Sequence, residues 1–364
     1  MSGVEVEFIH VGTGTKNGDA IVVRYGEPGA YKILVYDGGT LASGEAMVKH
    51  IKQHYDTSVV DDMVSSHPDG DHASGLRVVL EELDVRKVHM HRPWEHSSTI
   101  LDYFKDGRIT DTSLAERLQD KMRAAYEVEQ LALKKQIPVS EPFQGMGVGG
   151  FVVLSPPRDW YIHSLIPAFE KSPAAKSESL ASAAMGGLMT VVEAARAKVA
   201  TWIEENWDVE TLAEDVETSA ENESSVLLYQ TFGGKGVLLT GDAGVQALTM
   251  AADYLDSRGH SLPDNLRFIQ IPHHGSRHNV SPSVLNRILG PILPHGSKST
   301  KVAFASTSTE CATHPRKVVT NAFSRRGYAC YQHSNTGWIR QNWGMPDRKA
   351  SPITPIPFHE KVEG

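Results

Sequence analysis

The sequence has few cysteines, no long apolar run and no excess of positive charge. Its 364 residues include two cysteines, too few for a disulfide framework or a four-cysteine zinc site. No apolar stretch approaches the roughly 18 residues that a membrane span requires. The formal charge of −8 gives no general attraction to nucleic acid. The opening MSGVEVEFIHVG lacks a charged region followed by an apolar one, so we expect no secretory signal, no membrane contact and a cytoplasmic location.

The composition is that of a globular protein with enough length for a sizeable core, since 40% of the residues are hydrophobic and 22% are charged. Short strand patterns, such as VEVEFIHV, GVLLTGD and LRFIQIP, alternate with helical patterns along the chain. We predict one long helix over Thr112 to Lys135, which is rich in Ala, Leu, Glu and Lys. This alternation of strands and helices favours an α/β sandwich of mixed sheets.

Residues 158–220 interrupt the strand pattern and predict an insertion within a domain that spans 1–345, followed by an irregular tail over 346–364. The insertion contains a small, polar stretch, KSPAAKSESLASAAMGG, and a helical run, GGLMTVVEAARAKVATWIEENW. Its last part, 204–223, holds nine acidic residues and no Lys or Arg. We predict a cap that inhibits the site or sets its specificity, and a protease or a regulatory protein is a candidate partner for it. The alternative is a helical decoration packed away from the site.

Three clusters of ionisable residues follow short apolar strands: HPDGDH at 67–72, TGD at 240–242 and HHGS at 273–276. A layered fold gathers distant residues into one cleft at strand ends, and His and Asp are ligands that suit zinc, manganese or iron. Taken singly, each cluster is also typical of a solvated turn. Taken together they predict a metal site, in which alternate residues of 67–72 point the same way and a carboxylate from Asp242 bridges two ions.

These motifs resemble those of a known family. HPDGDH followed by ASGL is similar to the HxHxDH signature of the metallo-β-lactamase superfamily, with Asp69 where the second His usually stands. This variant resembles the hydrolase domain of the DNA-uptake competence protein ComEC and its free-standing relatives. NGDAIVV, ILVYDGG, LLTGDAG, IQIPHHGS and THP follow in the family's order. The resemblance implies an αββα sandwich of two mixed sheets flanked by helices, and a hydrolase with two divalent metal ions, Zn²⁺ or Mn²⁺.

The resemblance also implies roles for individual residues. The implied metal ligands are His67, Asp69, Asp71, His72, Asp242 and either His273 or His274. His314 matches a family histidine that faces the cleft, and Asp37 and Ser225 are expected to support the ligands from behind. The segment with Asn222, Ser224 and Ser225 stands where many members of the superfamily place another ligand His, so one of the two ions is expected to have fewer protein ligands.

These expectations favour a phosphodiesterase, and among phosphodiesterases they favour a nuclease. Asp71 would orient the attacking water, and His314 or Ser276 would steady the developing negative charge. Residues 291–350 carry nine Lys or Arg against two acidic residues, which favours nucleic acid or another phosphodiester as the substrate. The side chains predicted to meet phosphates are Arg277, Arg316, Lys317, Arg325 and Arg326. One alternative is a hydrolase of a small carbonyl substrate, and another is a partner-regulated metal-binding module with little activity of its own.

Overall fold

The computed structural model describes residues 3–11, 17–176, 202–298, 300–308, 310–333, 338–348 and 352–363. Two seven-stranded mixed sheets pack face to face within this part of the chain, and helices cover their outer faces. This arrangement confirms the predicted α/β sandwich of two mixed sheets flanked by helices.

The order in which the strands pair defines the two sheets. The first sheet has the order β17-β1-β2-β3-β5-β7-β8 and the second has the order β16-β15-β14-β13-β12-β10-β9, while β4 pairs with β6 and β11 pairs with β18. The bounds are β1 Gly3–Ile9, β2 Ala20–Gly26, β3 Lys32–Gly38, β4 Val59–Val60, β5 Asp62–Val64, β6 Asp84–Val85, β7 Val88–His89, β8 Val139–Ser140, β9 Gly147–Val148, β10 Phe151–Ser155, β11 Trp202–Glu204, β12 Leu227–Phe232, β13 Lys235–Leu239, β14 Leu266–Gln270, β15 Lys301–Ala305, β16 Tyr328–Gln332, β17 Trp338–Trp343 and β18 Lys361–Glu363.

Helices connect the parallel strands and cover the sheets. The α-helices of the described ranges are α1 Leu41–His54, α2 Gly70–Glu82, α3 Ser97–Ile100, α4 Asp111–Lys121, α5 Arg123–Lys134, α6 Arg158–Trp160, α7 Ile166–Ala168, α8 Ala220–Glu223, α9 Val245–Asp256, α10 Leu262–Asn265, α11 Pro282–Leu289 and α12 Lys317–Arg325. Short 3₁₀ turns at Pro93–His96, Leu101–Tyr103 and Pro272–Gly275 and a π turn at Tyr161–Leu165 complete the helical structure of these ranges.

Strand β1 illustrates how the sequence divides between the layers. Val4, Val6 and Phe8 point into the core between the two sheets, whereas the intervening Glu5 and Glu7 lie on the opposite face and are fully buried. This alternation is the period of two expected of a strand with different neighbours on its two faces. A second core joins the first sheet to helices such as α1, α2 and α5, and a third joins the second sheet to helices such as α9, α11 and α12.

The carboxyl ends of β3, β5, β13 and β14 carry the clusters predicted from the sequence. Strand pairs β3–β5 and β13–β14 are parallel, so the residues that follow them emerge at the same edge of each sheet. Helix α2 reaches this edge because it packs very closely on the end of β3. A Cβ atom added to Gly75 would lie 1.9 Å from the carbonyl oxygen of Gly38, so only glycine allows the approach.

Three local predictions were wrong. The long helix breaks at Met122, which separates α4 from α5 and has non-helical dihedral angles. The end of the predicted helical run, Trp202–Glu204, is a strand that pairs with Lys361–Glu363. The tail, predicted to be irregular, therefore contains a strand as well. Residues 186–201 of the predicted helical run lie outside the described residues.

Among the residues that the structure describes, no helix is both long and apolar enough to cross a membrane.

Candidate metal centre

The carboxylate of Asp242, which follows β13, lies at the centre of a cluster of histidines. Its Oδ2 atom is 3.5 Å from His72 Nε2, 3.5 Å from His273 Nε2 and 3.8 Å from His67 Nε2. Its Oδ1 atom is 3.8 Å from His274 Nε2. The three separate sequence motifs therefore meet at one point, as the sequence predicts.

Several buried ligand atoms in this cluster have no hydrogen-bond partner: Asp19 Oδ1, His67 Nε2, His72 Nε2 and Asp242 Oδ1. Buried polar atoms are almost always paired, since an unpaired one costs free energy. Sets such as Asp71, His72 and His274 present ligand atoms within 4.8 Å of one another. Nitrogen and carboxylate oxygen donors at this spacing fit a divalent ion of the zinc or manganese type.

Buried negative charge also favours a cation at this position. Burial raises the pKa of Asp19 well above its usual value, and the neighbouring carboxylates of Asp242 and Asp37 raise it further. Several carboxylates buried side by side are costly unless a proton or a metal ion neutralises part of their charge. The types of donor atom and the buried negative charge therefore both indicate a metal ion at this position.

Asp37, at the end of β3, orients His72 from behind. Its Oδ2 atom accepts a hydrogen bond from His72 Nδ1 at 2.9 Å, and its carboxylate also accepts from the backbone N–H and the hydroxyl of Ser66. Because Nδ1 donates in this pairing, a neutral His72 presents the lone pair of its Nε2 atom towards Asp242. This carboxylate–histidine arrangement is the usual support for a histidine that binds a metal.

The adjacent residues His273 and His274 both face Asp242, but in different surroundings. His274 is buried, and its Nδ1 donates to the carbonyl oxygen of Ser306 at 2.7 Å, so its Nε2 is the unprotonated atom. His273 is 24% exposed, and its Nδ1 lies 2.9 Å from Asn279 Oδ1. Both histidines have positive φ values, of 47° and 57°. Such strain in non-glycine residues is concentrated at functional sites.

The first motif is not extended, because Gly70 begins helix α2 and Asp69 is its N-cap residue. The expectation that alternate residues of 67–72 point the same way was therefore wrong. Asp71 lies in the first turn of the helix and is exposed, whereas His72 is buried. Asp69 Oδ2 lies 3.7 Å from His67 Nε2, and its other oxygen accepts a hydrogen bond from the ammonium group of Lys171.

The remaining predicted residues lie around the cluster. The His314 ring stacks towards that of His273 with centroids 6.4 Å apart, because Gly275 packs directly against Pro315. The hydroxyl of Ser276 accepts from the backbone N–H of His278 at 3.3 Å. Four more predicted residues lie nearby. Arg277 and Arg316 are partly exposed, and Lys317 lies over the ring of Trp202. Ser225 Oγ accepts a hydrogen bond from the backbone N–H of Asp242 at 3.1 Å.

Arg325 and Arg326 do not face the solvent, so their predicted contact with phosphates was wrong. Both are fully buried. Arg325 pairs with Glu205 at 2.9 Å and Arg326 pairs with Glu210 at 2.6 Å. The acidic end of the insertion thus packs onto part of the basic region, and its carboxylates neutralise these guanidinium groups inside the fold.

Sequence reasoning missed three residues at the cluster. Asp19 lies 3.7 Å from His72 and 3.8 Å from His274, and the NGDA motif before β2 was the available signal. Asn279 joins His273 to the backbone carbonyl of Asp242, to which its amide donates at 2.7 Å. Lys171 had no local signal, because Asp69 is 102 residues away.

A cavity of about 760 Å³ opens beside His314. Its wall combines apolar and polar groups from the start of α12, the end of β16 and the tail: Lys317, His333, Pro352, Ile353, Pro355 and Pro357 are among them. Its volume lies in the range of sites for small molecules.

Comparison with known proteins gives a limited result. No family model and no curated protein matches the chain. Among solved structures, the metallo-beta-lactamase fold protein YhfI from Bacillus subtilis has 9% identity and a TM-score of 0.40, over 94% of this chain and 100% of that chain. A diphosphatase from the PhnP family has 10% identity and a TM-score of 0.38, over 94% and 98%. The E377D mutant of the CmlA beta-hydroxylase has 11% identity and a TM-score of 0.37, over 94% of this chain and 54% of that chain.

The fold assignment rests on the strand order described above, and nothing about activity follows from these likenesses. None of the three is a ComEC-type hydrolase, so that finer resemblance stays a prediction.

Proposed function

We propose that the chain is a metal-dependent hydrolase that acts on phosphodiesters. The observation that carries this proposal is the group of buried, unpaired ligand atoms around Asp242. In the proposed centre an inner half, formed by Asp71, His72, Asp242 and His274, holds a divalent ion, Zn²⁺ or Mn²⁺. When bound, the ion supplies a hydroxide at neutral pH and polarises a phosphoryl oxygen.

An outer half, formed by His67 and Asp69 and sharing Asp242, is the position at which the sequence predicts a second ion. His67 Nε2 lies 3.7 Å from Asp69 and 3.8 Å from Asp242. Asn222, Ser224 and Ser225 contribute no imidazole to this half, so it offers fewer donors than the inner half.

The chain's own side chains have the remaining tasks. Asp71, exposed at the start of α2, would accept a hydrogen bond from the attacking water and orient it. His314 would donate to the phosphoryl oxygen as negative charge develops there. Ser276 is a weaker candidate for this second task, because its hydroxyl already serves the N–H of His278.

Two features support a phosphodiester as the substrate class. Arg316 and Lys317 follow His314 at the start of α12, and Arg277 follows the HHGS turn, so three cations are adjacent in sequence to residues of the proposed centre. The second candidate, a hydrolase of a small carbonyl substrate, is favoured by the proline-rich wall of the cavity beside His314 and by the burial of Arg325 and Arg326.

Cleavage assays test the proposal. Labelled single- and double-stranded DNA and RNA, together with bis(4-nitrophenyl) phosphate, would be incubated with Mn²⁺, Zn²⁺ or Mg²⁺. We expect metal-dependent cleavage that Asp71→Ala and Asp242→Ala abolish and that Asp102→Ala, at an exposed acidic residue, leaves unchanged. Cleavage of lactones or thioesters without any diester cleavage would instead select the second candidate. A folded, metal-loaded protein that cleaves nothing would favour the partner-regulated module.

A further inference from the structure

Lys171 lies within the predicted insertion, just after α7, and its backbone is held on both sides. Its N–H donates to Glu221 Oε1 at 3.2 Å, and its carbonyl oxygen accepts from Arg117 Nε at 3.2 Å. The following residue, Ser172, donates its hydroxyl to the carbonyl oxygen of Ile166 at 2.7 Å. These contacts fix the place from which the lysine side chain extends.

The Lys171 side chain reaches the outer half of the proposed metal centre. Its ammonium group donates to Asp69 Oδ1, and the other oxygen of the same carboxylate faces His67 Nε2. An ammonium group brings one positive charge and three donors, and it has no lone pair with which to bind a metal. It therefore neutralises Asp69 and repels a divalent ion that would bind the same carboxylate.

The side chains beside the outer half are committed elsewhere. Ser224 Oγ donates to the carbonyl oxygen of Glu221 at 2.6 Å, and Ser225 Oγ accepts from the N–H of Asp242 at 3.1 Å. Asn222 Nδ2 lies 3.1 Å from His273 Nδ1. None of the three offers a spare nitrogen ligand to the outer half, where the ammonium of Lys171 supplies the positive charge.

The inner half differs from the outer half in its ligand atoms and in the ion pairs of its carboxylates. Asp71, His72 and His274 form one set of converging ligand atoms, and Asp242, His273 and His274 form another. No Lys or Arg of the described residues makes an ion pair with Asp71 or Asp242. One half is therefore prepared for a divalent ion, and the other is already neutralised by a side chain.

We propose that Lys171 acts as a built-in cation in place of the second metal ion. The chain then binds one divalent ion in its inner half, and the insertion that carries Lys171 decides whether the outer half can bind another. This inference rests on the metal centre of the proposed function and is independent of the substrate.

Metal stoichiometry tests the inference. Purified protein would be dialysed against Mn²⁺ or Zn²⁺ and its metal content measured by mass spectrometry, with circular dichroism to verify folding. We expect one equivalent in the wild type, two in Lys171→Met and one in Lys171→Arg, which keeps the cation. Lys176→Met removes an exposed lysine of the same segment and should leave one equivalent. Adding Asp69→Asn to Lys171→Met should return the value to one.

The outcomes separate this inference from the proposed function. Two equivalents of similar affinity in the wild type, or one in Lys171→Met, overturn the role of Lys171 and leave a metal-dependent hydrolase intact. Absence of metal from every folded variant overturns the metal centre itself. Paramagnetic resonance of the Mn²⁺ forms gives a second readout, with an isolated-ion spectrum expected for the wild type and a spin-coupled pair for Lys171→Met. If Lys171→Met does not fold, a metal titration of the wild type is the remaining test, because two equivalents of similar affinity would still overturn the role of Lys171.

Discussion

At the scale of single residues, Asp37 is the clearest example of a side chain that acts through another. It has no direct contact with Asp242 among the described ion pairs and hydrogen bonds, but it fixes the ring of His72 through Nδ1. Its φ of 59° is left-handed, a conformation that Asp and Asn tolerate better than most residues. An Asn substitution therefore keeps the backbone and removes the charge.

We expect Asp37→Asn to weaken metal binding about 10- to 100-fold, which is typical when the partner of a metal-binding histidine is changed. Titration calorimetry with Zn²⁺ or Mn²⁺ measures the change. Asp84→Asn, at an exposed position of β6, serves as the matched control. Equal affinities in the two variants would show that Asp37 supports the fold rather than the site.

The sequence revealed single residues only where local signals exist. His67, His72 and Asp242 stand in compact motifs directly after apolar strands, and they meet as predicted. Asp19 was visible in the NGDA motif, but a single acidic residue in a turn has no specific meaning until the fold brings it to His72. The ion pair of Lys171 depends on a contact across 102 residues, which no local pattern contains.

At the scale of elements, helix α12 is attached to the end of the insertion by buried charges. Arg325 and Glu205 are both fully buried and lie 2.9 Å apart. Glu205 also accepts a hydrogen bond from Asn321 at 2.7 Å. Removing one partner of a buried ion pair leaves the other charge uncompensated.

We predict that Glu205→Ala lowers the free energy of unfolding by about 3–5 kcal/mol, the usual cost of breaking a buried ion pair on one side. Unfolding in urea measures this value. Glu204→Ala removes the neighbouring, exposed carboxylate, and we expect a change of at most about 0.5 kcal/mol. Similar values for the two variants would contradict the prediction.

Elements were predicted well where apolar periodicity and breakers agree. Strands β1, β13 and β14 lie where the patterns VEVEFIHV, GVLLTGD and LRFIQIP indicate them. The break at Met122 had no signal, because the apolar positions continue through it: Leu118 before the break and Ala125 after it are both buried. Packing in three dimensions decides such a break. Likewise, β11 pairs with the distant β18, so its extended form depends on that partner.

At the scale of the whole molecule, the formal charge of −8 limits binding to long nucleic acids. Arg325 and Arg326 are buried, and Arg348 pairs with Glu5 and Glu7. Three cations, Arg277, Arg316 and Lys317, remain as predicted phosphate contacts. The basic character of 291–350 in the sequence therefore overstates the positive surface, because a charge count contains no information about burial.

We expect the affinity for duplex DNA to depend weakly on salt, with a slope of log K against log salt concentration no steeper than about −2.7 for three phosphate contacts. Fluorescence anisotropy over a salt series measures the slope. Combining Arg316→Ala with Lys317→Ala should reduce its magnitude by about 2, since each lost contact changes it by about 1. A much steeper slope would reveal a nucleic-acid surface elsewhere on the protein.

The sandwich fold was predictable because the strands of both sheets alternate with helices along the chain. The order of the strands was not, since it depends on pairings between distant segments. The most distant pairing joins β1 to β17, with Val4 opposite Trp343. Arg348, just after β17, then contacts Glu5 and Glu7 on β1.

This pairing has a consequence during synthesis on the ribosome. At about 5–20 residues per second, the segment that follows β1 takes on the order of 20–60 seconds to emerge before β17 is available. During that time the outer edge of β1 has no partner from its own chain, and an open edge is a template for aggregation. Glu5 and Glu7 lie on this strand, and inward-pointing charges are a known protection of strand edges. We expect these two carboxylates, which later bind Arg348, to protect the open edge of β1 until β17 has been synthesised.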